Sequence, residues 1–465
     1  MNAQPALTTE LPPSTGLRRS LRRRHMQMIA LGGVIGAGLF VGSGVVIGAA
    51  GPAAVISFAL TGTLVVLVMR MLGEMAVAYP AVGGFYEYNR LALGELAGFL
   101  TGWMYWYFWV IVVALEAVAG ATILGKWWPA IAPWQYTLAL MTVFTVVNLL
   151  SVRSYGEAEF WFASIKVAAI VAFLCAGVVF ALGAWPGAQG GIRHLTAHGG
   201  FMPNGIVPVL TGAVAATGFY FGAEIVTIAA AESAEPERAV AETTQSVIWR
   251  VLVFYIGSIF LVVAIVPWND TMRMARPYVS VMEALQIPAA ATVMSLVILT
   301  AVLSALNSGL FASSRMLMAL ARRTDAPAAF ARLDARGVPV AAILASTAFG
   351  YVTVVMSYVS PDRVFAFLVN SYGTVAIFVY LLIAVAELRL RRRIEQEAPA
   401  RLRVRMWGYP WLTCLTIIAM LAIVAAMGVI PAQRVALAFG LVSVAVLLIA
   451  YALRRTTYAR TTAAP

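Results

Sequence analysis

The chain has 465 residues, 62% of them hydrophobic and only 11% charged, with a formal net charge of +12. A soluble globular protein carries about 45–50% apolar and about 25% charged residues. This chain has too little charge to cover a soluble surface, which excludes a single soluble enzyme, and it is too apolar for intrinsic disorder. A basic balance often indicates nucleic-acid binding. Here the Arg clusters fall between apolar spans, which points to membrane orientation and away from nucleic acid. Cys175 and Cys414 both lie inside apolar runs and read as core residues, with no metal-ligand spacing around them. His25, His194 and His198 all lie outside the apolar runs, so no proton relay through an intramembrane histidine is expected.

Residues 1–25 are polar and end in a basic run, Leu17-Arg18-Arg19-Ser20-Leu21-Arg22-Arg23-Arg24-His25. No cleavage site follows a short apolar core, so no removable signal peptide is read. A helix crossing about 30 Å of hydrocarbon needs about 20 apolar residues. Twelve such stretches follow, over 27–50, 53–78, 97–124, 134–152, 159–184, 206–231, 246–267, 289–318, 338–358, 363–386, 410–429 and 434–453. Backbone groups in lipid must be bonded within their own segment, so these are expected to be helices. The alternating ten-residue strands of an outer-membrane barrel are missing from the pattern.

With the N-terminus inside, the outer loops hold Lys126, Arg193, Arg273, Arg276, Arg363 and Arg434. Apart from Lys166, which lies within a span, the other Lys and Arg fall in inner segments. Cytoplasmic loops carry the positive excess, which predicts that both termini are cytoplasmic. The strongest cluster, Arg389 to Arg405, reads as a topology signal drawn to lipid headgroups.

Two spans are poor candidates for regular helices. The first contains Gly32-Gly33-Val34-Ile35-Gly36-Ala37-Gly38, and each glycine weakens a helix by about 1 kcal/mol relative to Ala. A dinucleotide-binding loop is ruled out, because no strand precedes it. Two readings remain. Gly38-Leu39-Phe40-Val41-Gly42 is a GxxxG that suits close helix packing. Alternatively the helix is interrupted, and the freed amides of Gly36, Ala37 and Gly38 point at an anion such as a carboxylate. The sixth span contains Thr217-Gly218-Phe219-Tyr220-Phe221-Gly222-Ala223-Glu224, with two mid-span glycines. The two stretches open consecutive sets of five spans. Interrupted helices in corresponding positions of two halves point to a transporter site.

A charge at the centre of a membrane helix costs about 2.5–3.5 kcal/mol, so each one asks for a reason. The central candidates are Glu116, Lys166 and Glu224. Arg70 and Glu74, spaced i, i+4, are expected to form a structural ion pair. Lys166 either snorkels to the interface or, desolvated, carries a proton. Glu116 is open to pairing with Lys166 or to acting as a second proton site. The aromatic run Trp103-Met104-Tyr105-Trp106-Tyr107-Phe108-Trp109 reads as an interfacial belt with packing, or as one wall of a cavity. No nucleotide-binding loop of a primary pump and no nucleophile–base pair or metal cluster of an intramembrane enzyme is present in the sequence. No cofactor or metal is expected.

These residues resemble the amino acid–polyamine–organocation superfamily, and within it the amino acid transporter family and its bacterial 4-aminobutyrate (GABA) permeases. The resemblance rests on Gly33 through Gly44, Met71-Leu72-Gly73-Glu74-Met75-Ala76-Val77-Ala78, Ser304-Ala305-Leu306-Asn307-Ser308-Gly309 and Arg315-Met316-Leu317. Most specific is Phe221-Gly222-Ala223-Glu224-Ile225-Val226-Thr227-Ile228-Ala229-Ala230-Ala231-Glu232-Ser233. Gly199 through Gly205, Ser246 through Arg250, Arg405-Met406-Trp407 and Tyr409-Pro410-Trp411 support it. The resemblance implies an all-α integral membrane protein with a LeuT-like five-plus-five inverted repeat, broken helices 1 and 6, and two C-terminal helices. It implies a basic tail over 1–25, a ten-helix transport core over 26–386, an Arg-rich loop over 387–409, helices 11 and 12 over 410–453 and a tail over 454–465. The Gly36, Ala37 and Gly38 amides would hold a substrate carboxylate. Carbonyls around Val34, Ile35, Gly218, Phe219, Tyr220 and Phe221 would meet its amine, with Glu224 beside them. Lys166, with Glu116, would carry the proton. Relatives often carry an aromatic where Gly218 stands, so Phe219 or Tyr220 takes that role here. The implied activity is proton-coupled import of an amino acid, 4-aminobutyrate first, across a bacterial inner membrane. Proline, an aromatic or a small neutral amino acid is the alternative cargo, and a non-transporting sensor is the alternative class.

Overall fold

The computed structural model describes residues 21–33, 35–36, 38–79, 83–150, 152–185, 192–229, 232–233, 242 and 251–462. Val34 and Ala37, both expected at the site, lie outside the described residues. The described chain is helical, and its single β feature is an isolated bridge between Leu21 and Ser233. Eight apolar stretches among the described residues are long enough to cross a membrane. The protein is therefore a multi-pass membrane protein. The expected spans 27–50 and 53–78 fall in one stretch, Gly38–Ala78, and 134–152, 246–267 and 363–386 are not among the eight. The third of these belongs to a longer helix with a charged end, and the first part of the second lies outside the described residues.

The first span is interrupted. Helix α1 (Arg23–Gly32) stops at Gly33, and a π-helical turn over Gly38–Gly42 leads into α2 (Ser43–Ala50). A short turn at Gly51-Pro52-Ala53, where Gly51 takes φ +66°, starts α3 (Ala54–Ala78). There follow α4 (Phe85–Leu93), α5 (Glu95–Trp127), α6 (Pro133–Leu150) and α7 (Val152–Ala181). The sixth span is interrupted as well, with α8 over Ile206–Tyr220 and α9 over Ile225–Ala229. A π-helical segment, Val251–Gly257, continues as α10 (Ser258–Ile265). Two short helices, α11 (Thr271–Met274) and α12 (Pro277–Ala284), precede α13 (Ala290–Arg322) and α14 (Val340–Val359). The chain ends with α15 (Pro361–Glu397), α16 (Trp411–Val429) and α17 (Arg434–Thr462).

Helices α5 and α13 pack on each other at the centre, and α7, α14 and α15 surround them. The most apolar window of α5 is 67% buried, whereas that of α17 is 6% buried. The difference in burial marks α5 as core and α17 as a helix that faces lipid.

Ion pairs join one end of the bundle. Arg24 meets Glu157 at 2.5 Å, Arg323 meets Glu87 at 2.8 Å, and Arg454 meets Asp325, which also accepts from the Tyr86 hydroxyl at 2.6 Å. The expected Arg70–Glu74 pair is corrected. Glu74 accepts from Arg391 and from the Met406 amide, while Arg70 donates to the Arg405 carbonyl at 2.9 Å and lies over the Trp407 ring. Partners on α15 and on the segment before α16 displace the local i, i+4 pairing. His25 belongs to the same end of the bundle. It sits in the first turn of α1, 1% exposed, with Nε2 3.2 Å from Glu157.

Candidate substrate cavity between the two interrupted helices

The two breaks meet. A Cβ placed on Gly33 would lie 2.8 Å from the Gly222 carbonyl oxygen, so only glycine allows the first break to pass this close to the second. In the second break Phe221 is extended and Gly222 takes φ +128°, a conformation that side chains disfavour. Glu224 ties this break together. Its Oε2 accepts the Gly222 N–H at 2.9 Å and the Tyr380 hydroxyl at 3.1 Å, and its Oε1 accepts the Tyr105 hydroxyl at 3.2 Å. Its own carbonyl accepts from the Thr227 hydroxyl at 2.8 Å, opening α9. A fully buried acid with three donors on its carboxylate is the arrangement that burial of such a group demands.

Beside the breaks lies a cavity of about 40 Å³, more than the roughly 10–15 Å³ one water requires. Its walls are Gly33, Gly36 and Gly38 from the first break, Gly218, Phe219 and Phe221 from the sixth span, and Phe108, Trp109, Val112, Leu115 and Glu116 from α5. Ala305 of α13 and Tyr372 of α15 close it. A Cβ on Gly36 would sit 3.0 Å from Glu116 Oε1, so the acid faces the first break directly. A Cβ on Gly218 would sit 3.0 Å from the Tyr372 ring, and that ring packs edge-on against Phe108.

The GxxxG of the first span receives a ring rather than a helix. Cβ atoms on Gly38 and Gly42 would each come within 2.6 Å of the Phe219 ring, which fills the notch between them. The helix is interrupted at Ile35–Gly36 and closely packed against Phe219 beyond it. The aromatic run of α5 divides in the same way. Phe108 and Trp109 face the cavity, Tyr105 holds Glu224, and the indoles of Trp103 and Trp106 donate to the Asp325 carbonyl and the Ser346 hydroxyl.

Lys166 is fully buried. It does not snorkel. Its Nζ donates to the Ile35 carbonyl at 2.9 Å and to Ser304 Oγ at 2.8 Å, and Ser304 Oγ donates onward to Glu159 Oε1 at 2.5 Å. The structure thus gathers Gly36, Gly38, Gly218, Phe219, Phe221 and Glu116 around one cavity, and ties Lys166 to the first break through the Ile35 carbonyl. It sets Tyr220 and Glu224 behind the wall. Tyr220 donates to the Phe58 carbonyl at 2.9 Å and stacks on Tyr255 at 4.1 Å, and the Phe219 carbonyl already accepts the Tyr255 hydroxyl at 2.8 Å. The sequence reading missed Glu159, Ser304 and Tyr372. Glu159 lies seven residues before Lys166 and so on the same helix face, a spacing readable in the sequence, but it fell on the edge of its apolar stretch. No cluster of three or more metal-ligating side chains occurs among the described residues.

A bundle of apolar helices around a buried cavity, bounded by two interrupted helices, is the build of a membrane transporter. The chain belongs to the amino acid permease family, whose profile matches residues 25–463. It is 50% identical over 438 residues, 94% of this chain and 93% of the relative, to a protein of Bacillus subtilis (strain 168) named gamma-aminobutyric acid permease. It is 48% identical over 416 residues, 89% of each chain, to the gamma-aminobutyric acid permease of Escherichia coli (strain K12). An aromatic amino acid transport protein of Corynebacterium glutamicum is 41% identical over 418 residues, 89% of this chain and 90% of the relative. The protein is an amino acid transporter.

Proposed function

We propose that this chain imports 4-aminobutyrate together with a proton across a bacterial inner membrane, both termini lying in the cytoplasm. The observation that carries the reading is the cavity where the first break and the sixth-span break meet, with the buried Lys166 holding the Ile35 carbonyl of the first break. The names of the relatives that match nearly end to end support the cargo. The bundle end joined by Arg24, Arg323, Arg391 and Arg454 pairs is the basic end, which supports placing it inside. The fold we assign is a twelve-helix, LeuT-like five-plus-five inverted repeat over 26–386, with α16 and α17 as the two added helices. Residues 1–25 and 454–465 are tails, and 387–409 is an Arg-rich inner loop.

In this reading the amides of Gly36, Ala37 and Gly38 bind the carboxylate, because a half-helix terminus presents unpaired N–H groups with partial positive charge. Carbonyls of Val34, Ile35 and the Gly218–Phe221 segment receive the ammonium, and the faces of Phe219 and Phe221 add cation–π contact of about 0.5–2 kcal/mol. Lys166 carries the proton, holding the Ile35 carbonyl when charged and releasing it when neutral. Glu116 faces the same point as a second proton site. A zwitterion adds no net charge, so one proton moves one charge, worth about 2.3 kcal/mol at 100 mV or roughly 40- to 50-fold accumulation.

The test is uptake of labelled 4-aminobutyrate by purified protein in liposomes, with and without an imposed inward proton gradient. Gradient-driven accumulation supports the reading. Competition by phenylalanine, proline or alanine stronger than by 4-aminobutyrate overturns the cargo and leaves the transporter. Saturable binding with no uptake of any amino acid makes the protein a sensor.

A further inference from the structure

The contacts of Lys166 run on beyond the Ile35 carbonyl. Its Nζ lies 2.8 Å from Ser304 Oγ, and Ser304 Oγ lies 2.5 Å from Glu159 Oε1. Lys166, Ser304 and Glu159 are each fully buried. A serine hydroxyl has one proton to give and two lone pairs to accept with. With its proton committed to Glu159, Ser304 receives the lysine, so the three groups form a directed line of hydrogen bonds. Glu159 and Lys166 share a face of α7 and are separated by seven residues, or about 10 Å along the axis at 1.5 Å per residue. Glu159 is the one nearer the basic end, two residues from the Glu157 that pairs with Arg24. Beyond it the polar lining continues. Asn307 and Ser308 of α13 lie beside the carboxylate, Ser308 Oγ is 3.5 Å from the Tyr155 hydroxyl, and the buried Arg315–Glu232 pair at 2.9 Å follows.

We propose that Glu159 is the inward proton acceptor for Lys166, with the Ser304 hydroxyl as the relay between them. This rests on the reading of Lys166 as the proton carrier and adds the route by which the proton leaves. The Lys166 ammonium gives a proton to Ser304 Oγ while the Ser304 hydroxyl proton passes to Glu159 Oε1. The products are a neutral amine, an unchanged serine and a neutral carboxylic acid, so atoms and charge balance. The neutral amine no longer holds the Ile35 carbonyl as a cation does, which links proton departure to the first break. The titratable groups that face this line are Tyr155 on α7, Glu116 on α5, Arg315 on α13, Glu232, and the His25 and Arg24 of α1 that pair with Glu157. Glu116 and Glu159 are the carboxylates near Lys166, and Glu159 is joined to it through the Ser304 hydroxyl.

The test compares two activities of the same liposomes, with labelled 4-aminobutyrate as the probe. Net uptake under an inward proton gradient requires the carrier to release its proton inside on every cycle. Counterflow into liposomes preloaded with unlabelled substrate, at equal pH, does not. Ser304→Ala is expected to lower the ratio of net uptake to counterflow at least tenfold, and Ser304→Thr, which keeps a hydroxyl, to restore it to within threefold. Glu159→Gln is expected to lower the same ratio and flatten the pH profile of net uptake. Should the alanine variant fail to fold, Ser304→Cys keeps the volume with a weaker donor and is expected to lower the ratio as well. A wild-type ratio in Ser304→Ala or Ser304→Cys overturns the relay. Equal loss of both activities overturns it too, since that marks Ser304 as structural. The reading beneath fails in a different way, by Lys166→Ala accumulating substrate with full pH drive.

Discussion

The notch that holds Phe219 gives the sharpest test of the cavity. In Gly38→Ala the new Cβ would stand 2.6 Å from Phe219 Cδ1, 2.9 Å from Cγ and 3.0 Å from Cβ. Carbon atoms pack best at about 3.5–4.0 Å, so the overlap is about 1 Å. The crowded atoms include the root of the phenylalanine side chain, which no χ rotation moves away. Overpacking of this kind costs about 1–3 kcal/mol. If the strain falls on the substrate site, the dissociation constant for 4-aminobutyrate rises about 5- to 140-fold, at 1.4 kcal/mol per factor of ten. Gly42→Ala would meet the tip of the same ring, Cζ at 2.6 Å and Cε1 at 2.9 Å, and a small tilt relieves it. Its effect is expected to be smaller. The assay is substrate binding in detergent for wild type, Gly38→Ala, Phe219→Ala and the double variant. Removing the ring removes the collision, so the double variant should bind better than the sum of the single losses predicts, by up to the full 1–3 kcal/mol. Additive losses would refute the notch as the source of the strain.

Three further outcomes follow from the geometry. Lys166→Ala is expected to impair proton-driven uptake more than substrate binding, measured as accumulation against pH in liposomes; full accumulation with unchanged pH dependence would place the proton site elsewhere. Glu224→Gln keeps an acceptor for the Gly222 N–H and the Tyr380 hydroxyl and is expected to fold and transport, whereas Glu224→Ala leaves that amide buried without its partner at a cost of about 1–3 kcal/mol and lowers uptake at least tenfold. The contrast is read from uptake together with thermal melting, and equal behaviour of the two variants would count against the holding role. Arg391→Ala strips the cation from buried Glu74 and is expected to cost about 3–5 kcal/mol, with a visibly lower melting temperature, while Arg70→Ala changes it less. The reverse order would restore the i, i+4 pairing.

The glycines and the intramembrane charges were legible because lipid penalises both so heavily that each one asks for a reason. Gly33 to Gly38 and Gly218 to Gly222 marked the two breaks, and Lys166 marked a buried cation. Which way a side chain points was not legible. Tyr220 and Phe219 are neighbours in sequence, yet one stacks on Tyr255 and the other fills the Gly38–Gly42 notch. Long-range partners were equally hidden. Glu74 and Arg391 are 317 residues apart, and nothing in the local i, i+4 pattern announces that pairing. Ser304 was named in a motif but not as a site residue, because a serine in an apolar span costs little and so carries no signal of its own until the fold sets it between a lysine and a glutamate.

Helix α15 has 37 residues, or about 55 Å at 1.5 Å per residue, roughly 25 Å more than the thickness of a hydrocarbon core. The excess length is a rigid pointer. A tilt of about 10° around the bilayer centre would sweep its tip through about 7 Å, several times the displacement of a residue lining the cavity. The pointer also has passengers. Arg391 grips Glu74 of α3, and the Leu388 carbonyl accepts the Tyr409 hydroxyl at 3.0 Å, so the segment leading into α16 travels with it. Tyr372, on the same helix, forms part of the cavity wall. A spin label or fluorophore at Glu397 would therefore report, magnified, on motion of the ring that closes the cavity.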